Sequence, residues 1–389
     1  MLIGIPKEIY PGEARVALIP SGISKLQEAG LTVIVETGAG DLSHIDDAEY
    51  RSAGASIALN AKSLYEQADV ILKVREPVEC PEGSYHEADL IKEGSTLICM
   101  MDAYFNVPLI KRLAEKNANV FALEFIPRIT RAQSMDVLSS MAAISGYRAV
   151  LSGAMTLPQY FPMLMTAAGT ITPARVFVIG AGVAGLMAIS TAKRLGAVVE
   201  AYDTRPVVKE QVESLGAKFV EFDMGDTSSE EKGGYAKEQS EEFYKRQQEQ
   251  MGQKVAQSDL VITTAAIPGK MAPRLVTKEM LHCMKKGSVV VDLAAERGGN
   301  VEGTVKNQKI YKDGVTLIGY VDHPSRVPVH ASQLYTKNIT TFLLNMVKDG
   351  QLDLEKDDEI VTSTQLTKNG QISHPALAEI AQKEESANG

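Results

Sequence analysis

Residues 175–204 read RVFVIGAGVAGLMAISTAKRLGAVVEAYDT. A β-rich apolar run enters three glycines, Gly180, Gly182 and Gly185, in the order G-x-G-x-x-G. A helix-like run follows, and the next apolar run ends at Asp203, 18 residues after Gly185. Few folds accept this order. Gly180 permits a tight turn, Gly182 lets backbone approach a pyrophosphate, and Gly185 lets a helix pack closely on its strand. Val183 and Ala184 then open the helix, whose N-terminal N–H groups suit an anion. Asp203 is placed to accept hydrogen bonds from adenosine ribose hydroxyls and to repel a 2′-phosphate, which favours NAD over NADP. Arg205, beyond Thr204, works the other way, since it can neutralise such a phosphate. An ordinary strand–helix turn is the alternative for the glycines.

The same plan extends in both directions. Before the fingerprint lie the short apolar runs LIGIP, TVIVET, VILKV, STLICMM and NVFALEFI, with helix-like stretches between them. After it come KFVEFD, DLVITTA, SVVVDLA and VTLIGYVD. Short buried runs alternating with helices imply parallel sheets. The expected fold is α/β: two Rossmann-like, doubly wound parallel-sheet domains joined by long helices. The first domain is expected to be discontinuous, 1–140 plus 328–389, and the nucleotide-binding domain to span 141–327. A hairpin is expected at Asn369-Gly370 near the C-terminus. The polar stretch from Gly225 to Lys254 reads as a mobile active-site loop or a solvated helix.

A length of 389 residues suits two domains. A net charge of −9 argues against broad nucleic-acid binding. The three cysteines are far apart and odd in number, so no disulfide framework or metal pair is expected, and a reducing cytoplasm fits. No metal site is expected, because no H-x-x-x-H, C-x-x-C or carboxylate cluster occurs at ligand spacing. The N-terminus reads as a strand and not a signal peptide. No apolar run approaches the ~20 residues of a membrane helix, so a membrane role has to come through a partner.

Three other segments carry candidate chemistry. TTAAIPGKMAP, with Thr264, Ala265, Ala266 and Ile267, follows a buried strand and suits a backbone wall beside a cofactor, or a simple loop. Gly298 and Gly299, in VDLAAERGGN, stand near a nicotinamide or form a structural turn. RITRAQSMDVLSS, from Arg128, concentrates hydrogen-bonding side chains where a strand hands over to a helix. With the helix running from Ser134, Asp136, Ser139 and Ser140 share one face and Met135, Leu138 and Met141 the buried one. Gln133 just precedes them, and Arg128 and Arg131 stand in the lead-in. That set can bind a nicotinamide carboxamide and ribose, or it can be a capping cluster. Arg15 and Lys73 can meet a substrate carboxylate, or pair with Glu8 or Glu76. None of the six histidines sits at the end of an expected core strand, and each reads as a surface or capping residue.

Taken together, IGIPKE, RVAL, ILKV, PRITRAQSMDVLSSMAAISGYRAV, the glycine fingerprint, GGYAKE, TTAAIPGK and VDLAAERGGN resemble the NAD(H)-binding part of proton-translocating (Re/Si-specific) NAD(P) transhydrogenase. The resemblance spans nearly the whole chain and fits a separate soluble subunit of the alpha type. It implies a homodimer with NAD(H) in the cleft between the two domains of each subunit. It implies an NADP-binding partner subunit that holds NADP(H), a membrane-spanning subunit that conducts protons, and hence a peripheral place on the cytoplasmic membrane. It implies that Arg128, Asp136 and Ser139 contact the nicotinamide end of NAD(H). Gln133 resembles the residue that reaches the nicotinamide ribose and aligns the two cofactors. Gly234 and Tyr235 resemble part of a mobile loop that closes over nucleotide. Alanine dehydrogenase shares the fold, and Arg15 and Lys73 resemble its pyruvate-binding residues. This chain departs from that pattern where a catalytic histidine is expected, in LICMMDAYF, and where a catalytic aspartate is replaced by Glu296. An alanine dehydrogenase-like enzyme and a non-catalytic NAD-binding regulator are the alternative functions.

Overall fold

The computed structural model describes residues 1–222 and 241–388. Gly234 and Tyr235, and the part of the Gly225–Lys254 stretch before Glu241, lie outside the described residues. The chain divides into two compact units, Met1–Met141 with Pro324–Gly389, and Ala142–His323.

The first unit is built on six parallel strands: β1 (Leu2–Ile5), β2 (Thr32–Glu36), β3 (Ser56–Ala58), β4 (Val70–Leu72), β5 (Thr96–Cys99) and β6 (Asn119–Ala122). Their order is β3-β2-β1-β4-β5-β6. The strands β4 and β5 are buried at every position, as a sheet covered on both faces requires. Helix Val107–Glu115 shows how the cover forms. It has a proline in its first turn and buries Val107, Ile110, Leu113 and Ala114 along one stripe.

The second unit opens with a two-stranded hairpin, β7 (Leu164–Thr166) and β8 (Gly169–Ile171). Its main sheet contains β9 (Arg175–Ile179), β10 (Val198–Tyr202), β11 (Lys218–Phe219), β12 (Leu260–Thr263), β13 (Val289–Asp292), β14 (Lys309–Lys312) and β15 (Val315–Ile318). The order is β11-β10-β9-β12-β13-β15-β14, and only β14 runs antiparallel to its neighbour. Each large sheet reverses its winding once, between β1 and β4 and between β9 and β12. Crevices at the carboxyl ends of such strands are where α/β sheets take ligands. The two units are thus Rossmann-like doubly wound sheets.

The chain enters the second unit along the helix Val137–Thr156 and returns to the first at the turn Pro324–Arg326, directly ahead of the helix Pro328–Asn345. Two small hairpins follow, β16 (Val347–Lys348) with β17 (Gln351–Leu352) and β18 (Thr367–Lys368) with β19 (Gln371–Ile372). Asn369 and Gly370 both have positive φ, 52° and 77°, as the turn between β18 and β19 demands. The described end of the polar stretch is the helix Glu241–Gln257, which is not simply solvated: Met251 and Val255 are fully buried. No described helix is long and apolar enough to cross a membrane.

Candidate functional site

In the second unit the glycine fingerprint leaves β9 at the winding reversal. Gly180 has φ +98°, and Gly182 caps the helix Val183–Arg194 with no side-chain cap and no acid in the first turn. The N–H groups at this helix start therefore receive no side-chain acceptor from the cap. A Cβ on Gly185 would stand 1.9 Å from Gly180 O, so only glycine lets the helix meet the turn. Around Gly182, by contrast, the nearest atom to such a Cβ is 3.9 Å away, which leaves backbone open to a ligand. An open turn, an uncapped helix start and a neighbouring carboxylate fit a dinucleotide diphosphate and its ribose.

The carboxylate is Asp203, at the end of β10 and 8% exposed. It accepts from Ala181 N–H at 2.7 Å, from Arg205 N–H at 2.8 Å, and from the Arg205 guanidinium at 3.0 and 2.9 Å. Thr204 lies between the two members of this ion pair in the chain. Thr264 follows β12 and donates its hydroxyl to Gly180 O at 3.1 Å, bracing the turn from the other side of the reversal. The loop Ala265–Ala266–Ile267 is fixed by Asn300, a fully buried residue without a predicted role. Its amide accepts from Ala265 N–H at 3.0 Å and donates to the carbonyls of Ala265 and Pro273 at 2.8 and 2.9 Å.

Gly298 and Gly299 form a structural turn with φ of 84° and 79°. A Cβ on Gly299 would stand 2.4 Å from Asp292 Oδ2. Buried Asp292 accepts from Thr263 Oγ1, Ala294 N–H and Val301 N–H, all at 3.0 Å, and burial raises its pKa. Glu296 lies in the short turn Ala295–Arg297 with Lys306 Nζ at 3.3 Å.

In the first unit RITRAQSMDVLSS differs from the expected continuous helix. Thr130–Met135 is a 3-10 turn, Asp136 is extended (φ −69°, ψ 91°), and the α-helix starts at Val137. Asp136 caps it, accepting from Ser139 N–H at 2.8 Å and Ser139 Oγ at 2.6 Å. A short polar side chain ahead of a helix competes for the backbone, and the chain breaks there. Met135 is buried, Leu138 is 41% exposed and Met141 is buried, so the expected apolar face is interrupted. Arg131 makes a two-bond ion pair with Asp358, at 2.9 and 2.6 Å, which holds that carboxyl well below its usual range. Asn338 donates to Ser134 O at 2.8 Å. Arg128 and Gln133 are exposed. The motif is thus tied down at Arg131, Ser134 and Asp136, with an exposed amide between the anchors.

The winding reversal of the first sheet is filled by charge. Lys73 is fully buried at the end of β4, 2.6 Å from Glu87 Oε1 and 3.3 Å from Glu8 Oε2. Tyr65 OH also donates to Glu87, and Val74 N–H to Glu8. Burial opposes the lysine charge, but the two carboxylates outweigh it and hold its pKa above the usual range. Burial raises Glu8 to about 7 against the pull of Lys73, with Glu87 adding to the rise. Arg15 pairs with Glu13 at 2.6 Å and not with Glu76, and Ser325 donates to the same glutamate. Burial notwithstanding, Arg15 holds Glu13 down at about 2. Both cations are engaged inside their own unit.

After β5 stands Met101, fully buried, its N–H donating to buried Glu124 and its sulfur accepting from the Cys99 thiol at 3.3 Å. The histidines are elsewhere. His86 caps a short helix, His282 lies 3.6 Å from Asp313, and His374 stacks on Phe125. His323 corrects the surface expectation: it is 1% exposed, packed edge-on to Tyr320. No group of three metal-ligating side chains occurs among the described residues.

Two family models cover this architecture, alanine dehydrogenase/PNT, N-terminal domain, over residues 4–145 and alanine dehydrogenase/PNT, C-terminal domain, over residues 149–375. The chain belongs to the alanine dehydrogenase/PNT family. Within it, the chain is 50% identical over 380 residues to the first of the separately encoded pieces of the NAD(P) transhydrogenase alpha subunit of Rhodospirillum rubrum, covering 97% of this chain and 99% of that one. The crystal structure of a transhydrogenase from Sinorhizobium meliloti matches with TM-score 0.83 and 45% identity, over 97% of this chain and 100% of that chain. An L-alanine dehydrogenase structure matches with TM-score 0.81 and 27% identity, over 98% and 99%. Both branches of the family share the fold, so the choice between their activities rests on the site.

Proposed function

We propose that this chain is the NAD(H)-binding subunit of a proton-translocating transhydrogenase. A hydride leaves C4 of NADH and joins C4 of NADP+, giving NAD+ and NADPH. The NADP+ is held by a partner subunit. A further membrane-spanning subunit moves protons, and this chain, as a homodimer, sits peripherally on the cytoplasmic membrane through those partners.

The observation that carries the reading is buried Met101 after β5, where a dehydrogenase acting on a substrate amine would need a general acid/base. Hydride exchange between two nicotinamides moves no proton between heteroatoms, so it needs none. Identity to an NAD(P) transhydrogenase subunit over nearly the full length supports the same choice.

This chain's contribution is positioning, because the reacting carbons must approach to roughly 3–3.5 Å. Gly180, Gly182, Val183, Ala184 and Gly185 form the diphosphate cradle. Asp203 takes the adenosine ribose, with Thr204 and Arg205 beside it. Thr264–Ile267 forms a wall. Arg128, Asp136 and Ser139 hold the nicotinamide end, and Gln133 reaches its ribose and aligns it with the second nucleotide. Gly234 and Tyr235 belong to a loop that closes over it. Stopped-flow transfer from NADH to NADP+, with and without an NADP-binding partner subunit, tests the reading. Transfer should need the partner.

A further inference from the structure

Asp203 is the acceptor proposed for an adenosine ribose, yet its carboxylate is already engaged. A carboxylate offers about four lone-pair directions. Here Oδ2 accepts from Ala181 N–H and Arg205 Nη2, and Oδ1 from Arg205 N–H and Nε, all between 2.7 and 3.0 Å. Two of these donors are backbone groups that fix the carboxylate beside the glycine turn. The other two belong to one guanidinium. The ion pair is largely shielded, with side chains 17% and 6% exposed for Arg205 and Asp203. The guanidinium also lies over the cradle, since Arg205 Nη2 is the nearest atom, at 3.9 Å, to where a Gly182 Cβ would be.

We infer that Arg205 is a specificity-determining residue, a displaceable counter-ion that occupies the ribose acceptors of Asp203 until a nucleotide takes them. The inference rests on the nucleotide reading above. A ribose 2′,3′-diol brings two O–H donors, the number the guanidinium withdraws. It can replace the fork one for one and leave the backbone bonds in place. A 2′-phosphate brings negative charge and, once doubly ionised, no donor at all. Arg205 is then drawn between two anions. Its presence weakens NADH binding by competition and softens the penalty on NADPH by neutralisation. Selectivity belongs to the pair, and is lower than Asp203 alone would impose.

The test is fluorescence titration of the full chain with NADH and with NADPH, for wild type, Arg205→Ala and Arg205→Lys, with thermal melting by circular dichroism to show that each is folded. Arg205→Ala should bind NADH more tightly and NADPH more weakly, widening the ratio of Kd values by about tenfold, the scale of one charge-assisted hydrogen bond. Lysine keeps the charge without the fork, so Arg205→Lys should also tighten NADH binding while NADPH stays within about twofold. If the alanine variant fails to fold, the lysine variant still decides the competition. Weaker NADH binding in the variants makes Arg205 a direct ligand and overturns the inference, as do unchanged Kd values for both nucleotides. A wild-type chain that binds neither nucleotide overturns the nucleotide reading and the inference with it.

Discussion

Ser139 donates both its backbone N–H and its hydroxyl to the carboxylate of Asp136, at 2.8 and 2.6 Å, and the helix Val137–Thr156 begins between them. Capping and nucleotide binding therefore converge on one side chain, and substitution can separate them. Asp136→Asn keeps a good cap, so stability should change by no more than ~0.5 kcal/mol, whereas Asp136→Ala should lose about 1 kcal/mol. NADH binding should weaken in both, because only the charged acceptor suits the nicotinamide end. Urea unfolding and fluorescence titration read the two effects. An asparagine variant that binds NADH like wild type would reduce Asp136 to a cap.

Asp203→Ser should weaken NADH binding by about 1–3 kcal/mol, the scale for hydrogen bonds made by a charged group. Relative NADPH binding should improve, because the Arg205 guanidinium loses its carboxylate partner. Fluorescence titration with both nucleotides measures the ratio. A wild-type protein that binds NADPH as well as NADH would contradict the assignment.

Glu8 gives the fold a pH dependence with a definite sign. Its carboxyl sits at about 7 in the folded chain against an ordinary 4.5. Folding therefore favours its protonated form. That contribution is fully present below pH ~4.5 and is lost as pH rises to ~7, on the order of 3 kcal/mol over the window. Glu8→Gln removes the titration and leaves Lys73 paired with Glu87. The variant should gain stability relative to wild type between pH 5 and pH 8, measured by urea midpoints. A wild-type-to-variant difference that stays flat with pH would show that Glu8 does not take up this proton.

Alanine should not be oxidised at a useful rate. Lys73 is fully buried between two glutamates, Arg15 is paired with Glu13, and Met101 offers no proton. A spectrophotometric assay with alanine and NAD+, and with pyruvate, ammonia and NADH, should show far less than the usual enzymatic ~1–10³ turnovers per second. Turnover in that range would place the chain on the alanine dehydrogenase side of its family.

The central strands and the glycine turn were legible in the sequence because both are local: a buried parallel strand is an unbroken apolar run, and Gly180 and Gly185 are fixed by sterics within one turn. Edge elements were not. In β14 only Ile310 of Lys309–Lys312 is even partly buried, and Ser56–Ala58 is too short to announce a strand. Pairing across long separations was equally silent. Nothing near Arg131 points to Asp358, 227 residues on, and nothing near Lys73 singles out Glu87. The misplaced helix start came from reading Asp136 as a helix-face residue, when a short acid ahead of a helix more readily becomes its cap.

The central claim is that this chain is half of a two-nucleotide reaction, aligned in part by Gln133. It is tested most directly by the single-turnover rate of hydride transfer from NADH to NADP+, with the NADP-binding partner subunit present, for wild type and Gln133→Asn. The substitution keeps the amide and shortens the side chain by one methylene. NADH affinity should stay within about 1 kcal/mol, because Gln133 is exposed and makes no part of the cradle. Transfer should fall about 10²-fold, since a 1 Å misplacement can cost that much, and wild type without the partner should transfer almost nothing. A variant with the wild-type rate, or one whose only defect is lost NADH binding, would contradict the account.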